Sequence, residues 1–258
     1  MTLVLIHGVP ETPAIWDDLI GHLHRPLTTL RLPGFGRGSG PALDGKEAYA
    51  AWLADELLAL DGPIDVLAHD WGAHLATRAV TAYDVPVRSW ATDVLGTWHP
   101  DNDWHPVARL WQSADGEAAL RALRERDTAA IQRYYGVPAG GFADLLSARD
   151  MPRKLAEVLE AEHDDAMSTA ILALYRSANA NLHADWGREL PAASPAPGLV
   201  LSPTEHPPNN LRHTAEMAGK LGMRLAVLDG MGHSWMATHP AKVAPVLTDF
   251  WDSVTAGH

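Results

Sequence analysis

The chain of 258 residues contains 20 lysines and arginines against 32 aspartates and glutamates, which gives a formal net charge of −12 with histidine neutral. This acidic balance argues against a nucleic acid as partner. Hydrophobic residues make up 47% of the chain and charged residues 20%, a composition typical of folded globular proteins rather than disordered ones. The chain contains no cysteine, which excludes disulfides, thiol catalysis and cysteine-based metal sites.

The N-terminal sequence MTLVLIHG has no basic segment, and its apolar run, Leu3 to Ile6, is short. It therefore lacks the features of a signal peptide. No apolar stretch approaches the roughly 18 residues needed to cross a bilayer. We expect a cytoplasmic protein that acts on a small-molecule substrate, with neither a nucleic acid nor a membrane as partner. Both a monomer and a homodimer remain open.

Short apolar runs alternate with longer amphipathic segments, a pattern that predicts an α/β protein with a mostly parallel sheet flanked by helices. The predicted strands are Leu3–Ile6, Thr28–Leu32, Ile64–Ala68, Arg88–Val94, Gly198–Leu201 and Arg224–Leu228. The predicted helices between them are Pro13–His22, Glu47–Leu60, Gly72–Tyr83, Asn209–Leu221 and Pro240–Val254.

The alternation is interrupted from Thr97 to Leu190, where no convincing strand occurs. The predicted helices in this stretch are Glu117–Arg126, Thr128–Tyr135, Pro152–Glu162 and Asp165–Ala178. The sequence PAASPAPG at 191–198 then returns the chain to the sheet. We predict a core domain of residues 1–96 and 191–258, with a helical cap domain of residues 97–190.

Ligand sites in such sheets lie at the carboxyl ends of the strands, so the residues that follow each strand are the candidates for chemistry. His7 and Pro10 follow the first strand and Phe35 follows the second. We predict that all three contact the substrate.

The segment AHDWG places Asp70 between the third strand and the next helix. The small residues Ala68 and Gly72, two positions on either side, suit the tight turn that exposes a nucleophile at a sheet edge. The dipole at the helix N-terminus favours an ionised carboxylate there. A simple N-cap is the alternative interpretation of Asp70.

The last predicted strand is followed by the sequence GMGH, which places the imidazole of His233 at the same edge of the sheet. A covalent ester on Asp70 requires a base that activates water, and histidine suits this role near neutral pH. A third group must orient the imidazole. Asp93, at the end of the fourth strand, is the preferred candidate, and Glu205 is the alternative.

The motifs HGVPE, LPGFGRG, AHDWG and GMGH, in this order and with a helical insertion, resemble the α/β-hydrolase fold. They are most similar to its aspartate-nucleophile branch, which contains epoxide hydrolases, haloalkane dehalogenases and fluoroacetate-type dehalogenases. The resemblance implies that Asp70 attacks carbon and that His233 activates the water. It also implies that the amides of Val9 and Trp71 form the oxyanion hole.

Two departures from the family pattern affect these expectations. The spacing from Asp70 to Asp93 resembles the fluoroacetate type, and His206 stands where an aspartate would fall after the fifth strand, which favours Asp93 over Glu205. The family usually has two strands before the HG motif, whereas this chain begins with the strand that carries it. The resemblance therefore implies a sheet that is shortened at its N-terminal side.

Epoxide and halide chemistry differ in what stabilises the leaving atom. An opening epoxide needs a proton donor, and the resemblance places Tyr175, in a Tyr-Arg pair of the last cap helix, in that role. A second donor or pocket residue is sought among Trp104, Trp111, Tyr134 and Tyr135. Fluoroacetate-type enzymes carry arginines where this chain has Trp71 and His74, which disfavours a haloacid substrate.

The resulting hypothesis is an epoxide hydrolase that converts a small epoxide to a vicinal diol. A haloalkane-type dehalogenase that uses the same residues is the first alternative, and a non-catalytic ligand-binding protein is the second. We predict no cofactor. We also predict no metal, because no cysteine or carboxylate cluster completes a ligand shell around the histidine pairs in the sequence.

Overall fold

A computed structural model describes residues 1–206 and 210–255. Its sheet contains β1 (Thr2–Ile6), β2 (Leu27–Leu30), β3 (Ile64–Ala68), β4 (Ser89–Thr92), β5 (Gly198–Pro203) and β6 (Arg224–Leu228). The strand order is β2-β1-β3-β4-β5-β6, and every neighbouring pair is parallel. The prediction of a mostly parallel sheet flanked by helices is confirmed.

Helices cover both the core and the long interval between β4 and β5. In chain order they are α1 (Asp17–Ile20), α2 (Gly45–Leu58), α3 (Asp70–Ala82), α4 (Pro106–Gln112), α5 (Gly116–Glu125), α6 (Thr128–Tyr135), α7 (Phe142–Ser147), α8 (Arg153–Glu162), α9 (Asp165–Ser177), α10 (Leu211–Leu221), α11 (Trp235–Thr238) and α12 (Pro240–Thr255). Short 3₁₀ turns occur at Pro13–Trp16, Leu95–Trp98, Leu182–Ala184 and Trp186–Arg188.

Several predicted boundaries differ from the structure for local reasons. The predicted strand Arg88–Val94 ends two residues early, because Val94 has a left-handed backbone with φ of 45° that cannot continue a strand. The predicted helix Pro13–His22 is divided into a 3₁₀ turn and the short α1. The predicted start of α10 at Asn209 lies outside the described residues, and Asn210 caps the helix through its side chain.

The interval between β4 and β5 is described throughout and contains α4 to α9 without a strand. The helices α4 and α7 were not predicted. The start of α4 did carry a signal, since Pro106 occupies its first turn and the His105 side chain accepts a hydrogen bond from the Ala108 amide. We refer to residues 97–190 as the cap and to the rest as the core.

Ion pairs join the cap to the core on several elements. Arg31, after β2, binds Glu162 of α8 at 2.5 Å. Lys46, in α2, binds Asp185 at 2.5 Å, and Arg78, in α3, binds Glu189 at 2.6 Å. The cap is therefore attached along much of its length.

Most of the sheet is buried between its two helical layers. The side chains of β3, β4 and β5 are buried at every position, whereas β6, at one edge, is largely exposed. Each fully buried aliphatic side chain contributes roughly 1.5–3 kcal/mol to folding. Along the described residues, no helix has both the length and the apolar character needed to cross a membrane.

The turn from β3 into α3 lies against the end of β1. In the parallel register Ile6 pairs with Ala68, which brings Gly8 beside Asp70 and His7 beside Gly72. A Cβ added to Gly72 would lie 2.4 Å from the His7 carbonyl oxygen, and one added to Gly8 would lie 2.4 Å from the Asp70 Cβ. Both contacts are far too close for a side chain, so the turn requires glycine at both positions.

We therefore expect Gly72→Ala to lower the free energy of unfolding by at least about 2 kcal/mol, because the clash is with backbone that cannot move aside. Gly219→Ala is the matched control, since a Cβ on this helical glycine has no neighbour within 4 Å. The control should be neutral or stabilising by up to about 1 kcal/mol. Urea unfolding measures both, and equal effects would contradict the tight packing of the turn.

Candidate active site

Asp70 lies at the tight turn between β3 and α3. Its backbone is left-handed, with φ of 49°, and this raises the carboxylate above the edge of the sheet. The Val9 amide donates a hydrogen bond to Oδ1 at 2.9 Å. The second oxygen, Oδ2, lies 4.0 Å from His233 Nε2. One oxygen is thus held by the backbone, and the other faces the histidine.

Burial raises the pKa of Asp70 to about 7. The negative charge of Glu11 raises this pKa further, whereas His69 and the amides of Val9 and Trp71 lower it. The carboxylate is therefore ionised in alkaline solution, about half ionised near neutral pH and protonated in acid.

Asp93 follows β4 and is buried beneath the same turn. Its Oδ1 accepts a hydrogen bond from the Asp70 amide at 2.9 Å, and its Oδ2 accepts one from Trp235 Nε1 at 2.9 Å. The same Oδ2 lies 2.5 Å from His69 Nδ1. Burial alone would raise the pKa of Asp93, but the adjacent His69 and these hydrogen bonds hold it below its usual value.

The predicted contact between Asp93 and His233 is not among the contacts of the described residues. The described partners of Asp93 are the Asp70 amide, Trp235 and His69, so the imidazole that this carboxylate binds is that of His69. The alternative acid, Glu205, is exposed and lines the cavity near His206. No hydrogen bond or ion pair joins either carboxylate to His233 among the described residues.

His69 is fully buried, and both of its ring nitrogens face carboxylates. Nδ1 contacts Asp93, and Nε2 lies 3.4 Å from Glu11 Oε1. Burial lowers the pKa of His69, but the two carboxylates outweigh this effect and raise it well above the ordinary value. We therefore assign a positive charge to this imidazole.

His233 lies between two other imidazole rings. The ring of His69 is 4.4 Å away on one side, and that of His206 is 4.4 Å away and stacked. Its Nε2 is 4.0 Å from both Glu11 Oε1 and Asp70 Oδ2. Burial lowers the pKa of His233 well below the ordinary value, with neighbouring His206 and His69 acting in the same direction. The ring is therefore a neutral base.

A cavity of about 620 Å³ opens above these groups and is shared by the core and the cap. Of the predicted site residues, it is lined by Val9, Pro10, Asp70, Trp71, Trp104, Trp111, Tyr135, Tyr175, Glu205 and His233. One wall is aromatic, because the Tyr175 ring centroid lies 5.3 Å from Trp71, 5.7 Å from Trp104 and 5.1 Å from Trp111. The cavity suits an organic molecule with an apolar body.

The Tyr175 phenol is buried close to Asp70. Burial raises its pKa well above the ordinary value, and the negative charge of Asp70 adds to the effect. The phenol therefore keeps its proton and can donate a hydrogen bond into the cavity.

Two of the three indoles in this wall use their N–H groups within the protein. Trp104 donates to the Ala178 carbonyl oxygen at 2.9 Å, and Trp111 donates to the Tyr135 hydroxyl at 3.2 Å. The buried Nε1 of Trp71 has no hydrogen bond of normal geometry among the described residues, although its side chain acts on the Tyr175 hydroxyl.

Three residues predicted to contact substrate lie outside the cavity lining. His7 is fully buried, and its Nε2 accepts a hydrogen bond from the Leu32 amide at 3.1 Å, so it stabilises the loop after β2. Phe35 is also fully buried and packs against His7 and Tyr49. Tyr134 packs on the cap, where the guanidinium of Arg133 covers its ring.

The cap also contacts the loop that carries His233. Asp150 has a left-handed φ of 79°, which turns its carboxylate towards Ser234. The Ser234 hydroxyl donates to it at 3.0 Å and the Ser234 amide at 3.1 Å. The segment that carries His233 is therefore held by a residue of the cap.

Two groups of described side chains bring ligand atoms within 4.8 Å of one another, namely Glu11, His69 and His233, and His99, Asp101 and His213. In the first group, His69 carries the charge described above, which opposes metal binding. In the second, His99 and His213 are stacked with an interplanar angle of 9°, so their nitrogens do not converge on one point. The absence of a metal remains a prediction.

The sequence analysis gave no role to several residues of the site. Glu11 and His69 lie within the quoted motifs HGVPE and AHDWG, so their position next to Asp70 could have been inferred from the sequence. His206, Arg149 and Asp150 also line the cavity. The last two belong to the cap, where no motif marks them.

Replacing Asp70 by Asn keeps an acceptor for the Val9 amide and a residue type that tolerates left-handed φ. The folded pKa of about 7 exceeds the ordinary 3.8, so the wild type loses stability as the pH rises from about 4 to 7. We expect Asp70→Asn to be the more stable protein at pH 8, by up to about 4 kcal/mol, and equally stable below pH 4. Urea unfolding at several pH values tests this, and a difference independent of pH would contradict it.

Comparisons with known proteins identify the family to which this chain belongs. The model of the alpha/beta hydrolase family, Abhydrolase_6, matches residues 3–246. A stretch of 79 residues is 34% identical to the protein named "Probable oxidoreductase EphD" of Mycobacterium tuberculosis (strain ATCC 25618 / H37Rv). It covers 28% of this chain and only 13% of that relative.

Solved structures show the same fold across nearly the whole chain. Haloalkane dehalogenase DbeA from Bradyrhizobium elkani USDA94 has a TM-score of 0.71 and 20% identity, over 100% of this chain and 91% of that one. The Bacillus megaterium epoxide hydrolase, solved with an inhibitor, has a TM-score of 0.69 and 13% identity, over 97% and 93%. The chain belongs to the alpha/beta hydrolase family.

Proposed function

We propose that this hydrolase opens small organic epoxides to vicinal diols through an ester on Asp70. One arrangement carries the proposal: a carboxylate with one oxygen free, a neutral histidine 4.0 Å from that oxygen, and a protonated tyrosine in the same cavity. These are the three groups that nucleophilic opening of an epoxide and hydrolysis of the ester require.

In the first step, Oδ2 of Asp70 attacks an epoxide carbon and the carbon–oxygen bond to the ring oxygen breaks. The Tyr175 hydroxyl gives its proton to the departing oxygen, which becomes an alcohol. The product of this step is a hydroxyalkyl ester of Asp70 and a tyrosinate. Burial next to Asp70 keeps the phenol protonated until this moment.

In the second step, water attacks the ester carbonyl carbon. Asp70 Oδ2 and Glu11 Oε1 each lie 4.0 Å from His233 Nε2, a separation that one water molecule bridges. His233 takes a proton from this water, and the hydroxide adds to Cγ. Collapse of the tetrahedral intermediate breaks the bond to the alkyl oxygen, which takes the proton of the added hydroxyl group and leaves as the diol. Asp70 is then a carboxylate again, and the proton on His233 restores the phenol of Tyr175.

The oxyanion of that intermediate forms on Asp70 itself. Its Oδ1 already accepts a hydrogen bond from the Val9 amide at 2.9 Å, and the Trp71 amide also acts on the carboxylate. Donors placed in advance at such an oxygen lower the barrier by roughly 3–4 kcal/mol each. The site therefore favours hydrolysis of the ester over its accumulation.

The cap indoles favour an epoxide over a halide. A departing halide is stabilised by N–H groups, but those of Trp104 and Trp111 already donate to Ala178 and Tyr135. The Nε1 of Trp71, which has no hydrogen bond of normal geometry among the described residues, supports haloalkane dehalogenation as the second candidate. Because it is a single donor, whereas Tyr175 can transfer a proton, we rank the epoxide first.

A variant that stops at the ester tests both candidates. We expect His233→Gln, incubated with a panel of epoxides and haloalkanes, to gain the mass of one whole epoxide on the peptide that contains Asp70. His22→Gln, a change at an exposed histidine, should turn substrate over without an adduct. Intact mass and peptide mass spectrometry give the readout.

The other adducts decide between the alternatives. An alkyl group that has lost its halogen would make the protein a dehalogenase. If no adduct forms although calorimetry detects binding of panel compounds, the proposal of catalysis fails, and a ligand-binding protein remains.

The role of Tyr175 is tested by removing only its hydroxyl. We expect Tyr175→Phe to slow single-turnover formation of the ester by about 10²-fold or more, because the departing oxygen loses its proton donor. Hydrolysis of the ester should change little. Tyr134→Phe is the matched control, since Tyr134 lies in the cap outside the cavity lining. Equal rates for the two variants would remove Tyr175 from the mechanism.

A further inference from the structure

Arg149 is an exposed residue that places a positive charge on the lining of the cavity. It follows α7 on a cap loop and lines the same cavity as Asp70 and His233. Its side chain makes no ion pair or hydrogen bond within the described part of the chain. Several other cap arginines pair with carboxylates, among them Arg124 with Asp165, Arg126 with Glu160, Arg153 with Asp144 and Arg176 with Glu117. Arg121, Arg133 and Arg188 have no described ion pair either, but they do not line this cavity.

The carboxylates of the cavity are engaged elsewhere or lie apart from Arg149. Asp150, its neighbour in sequence, is turned towards Ser234 and accepts hydrogen bonds from it. Glu11 accepts a hydrogen bond from the Gly8 amide at 3.0 Å and faces His69. Glu205 forms no ion pair with Arg149 among the described residues. The guanidinium therefore has no counter-ion within the described protein.

Two further donors lie near this charge. The Tyr135 hydroxyl accepts a hydrogen bond from Trp111, so its own proton is free to be donated. His105 accepts the Ala108 amide at Nδ1, which places the proton of the neutral ring on Nε2. Both side chains line the cavity, and the charge of Arg149 acts on both of them. This part of the wall offers three donors without a described acceptor.

We propose that Arg149, Tyr135 and His105 form a subsite for the carboxylate of the substrate. A planar guanidinium matches a carboxylate through two parallel hydrogen bonds, and a single arginine balances a single negative charge. The neighbouring lining residues Leu146, Met151 and Val107 are apolar. The substrate is then a monocarboxylic acid in which an apolar segment separates the acid from the reacting carbon.

This inference deepens the proposed function and rests on it only for the reacting group. Trp71 and His74 occupy the positions at which haloacid enzymes carry arginines. An acid held by Arg149 is bound by the cap, on the side of Tyr135, rather than by residues next to the nucleophile. The subsite thus predicts longer acids and not haloacetates.

Binding of unreactive probes tests the subsite without any turnover. Octanoate and octanamide share shape and differ in charge, and titration calorimetry gives the affinity of each. We expect the wild type to prefer octanoate by at least tenfold and Arg149→Gln to lose this preference. Arg149→Lys should keep part of it, since it keeps the charge but not the planar fork. Arg133→Gln, a cap arginine outside the cavity lining, is the control and should behave as wild type.

Kinetics with 7,8-epoxyoctanoate and 7,8-epoxyoctanamide separates this inference from the proposed function. We expect Arg149→Gln to raise KM for the acid at least tenfold relative to the amide, with similar kcat ratios. If the wild type binds octanoate and octanamide equally, or if Arg149→Gln keeps the preference, the carboxylate subsite is wrong even when epoxides are hydrolysed. If the preference holds but neither epoxide reacts, the subsite stands and the proposed reaction fails.

Discussion

The buried carboxylate of Asp93 is the constraint on which the catalytic edge depends. It binds the amide at the start of α3, the imidazole at the end of β3 and the indole of Trp235 in α11. The turn from β3 into α3, the segment after β4 and the helix α11, which are distant in sequence, are therefore fixed around one charge. A buried carboxylate is stable only when its oxygens are satisfied, and here the donors that satisfy it are those that shape the turn at Asp70.

This use of Asp93 changes how the base is supported. In the proposed mechanism, His233 becomes an imidazolium only after Asp70 has become a neutral ester. At that stage Glu11, with Oε1 4.0 Å from Nε2, is the nearest described carboxylate. Glu11 is itself held by the Gly8 amide of the HGVPE turn. The charge that balances the base thus comes from the loop after β1 instead of the loop after β4.

The fold was largely predictable because parallel strands and their helices follow hydrophobic periodicity. All six strands were identified from local hydrophobic patterns. The turn at Asp70 was identified from its small residues, which the close approach of Gly72 to the His7 carbonyl oxygen requires. The position of Asp70 and His233 at one edge of the sheet follows from the same topology.

Contacts between side chains were less predictable. Asp93 binds His69 rather than His233, and this depends on distances of a few ångströms that cannot be inferred from the spacing of the residues along the chain. The cap was harder to predict from the sequence, because α4 and α7 are short. The proposed role of Arg149 depends on the absence of a described counter-ion, which only the structure reveals. His7 and Phe35 were predicted to contact substrate because they follow strands at the edge of the sheet. Both are buried outside the cavity lining, and His7 stabilises the loop after β2.

The attachment of the cap has a consequence for how ligands enter. Ion pairs join it to β2, α2 and α3, and Asp150 binds the loop of the base. Lifting the cap would break these contacts together and would release Ser234, next to His233, from its position. These contacts therefore oppose lifting of the cap as a way for ligands to reach the cavity.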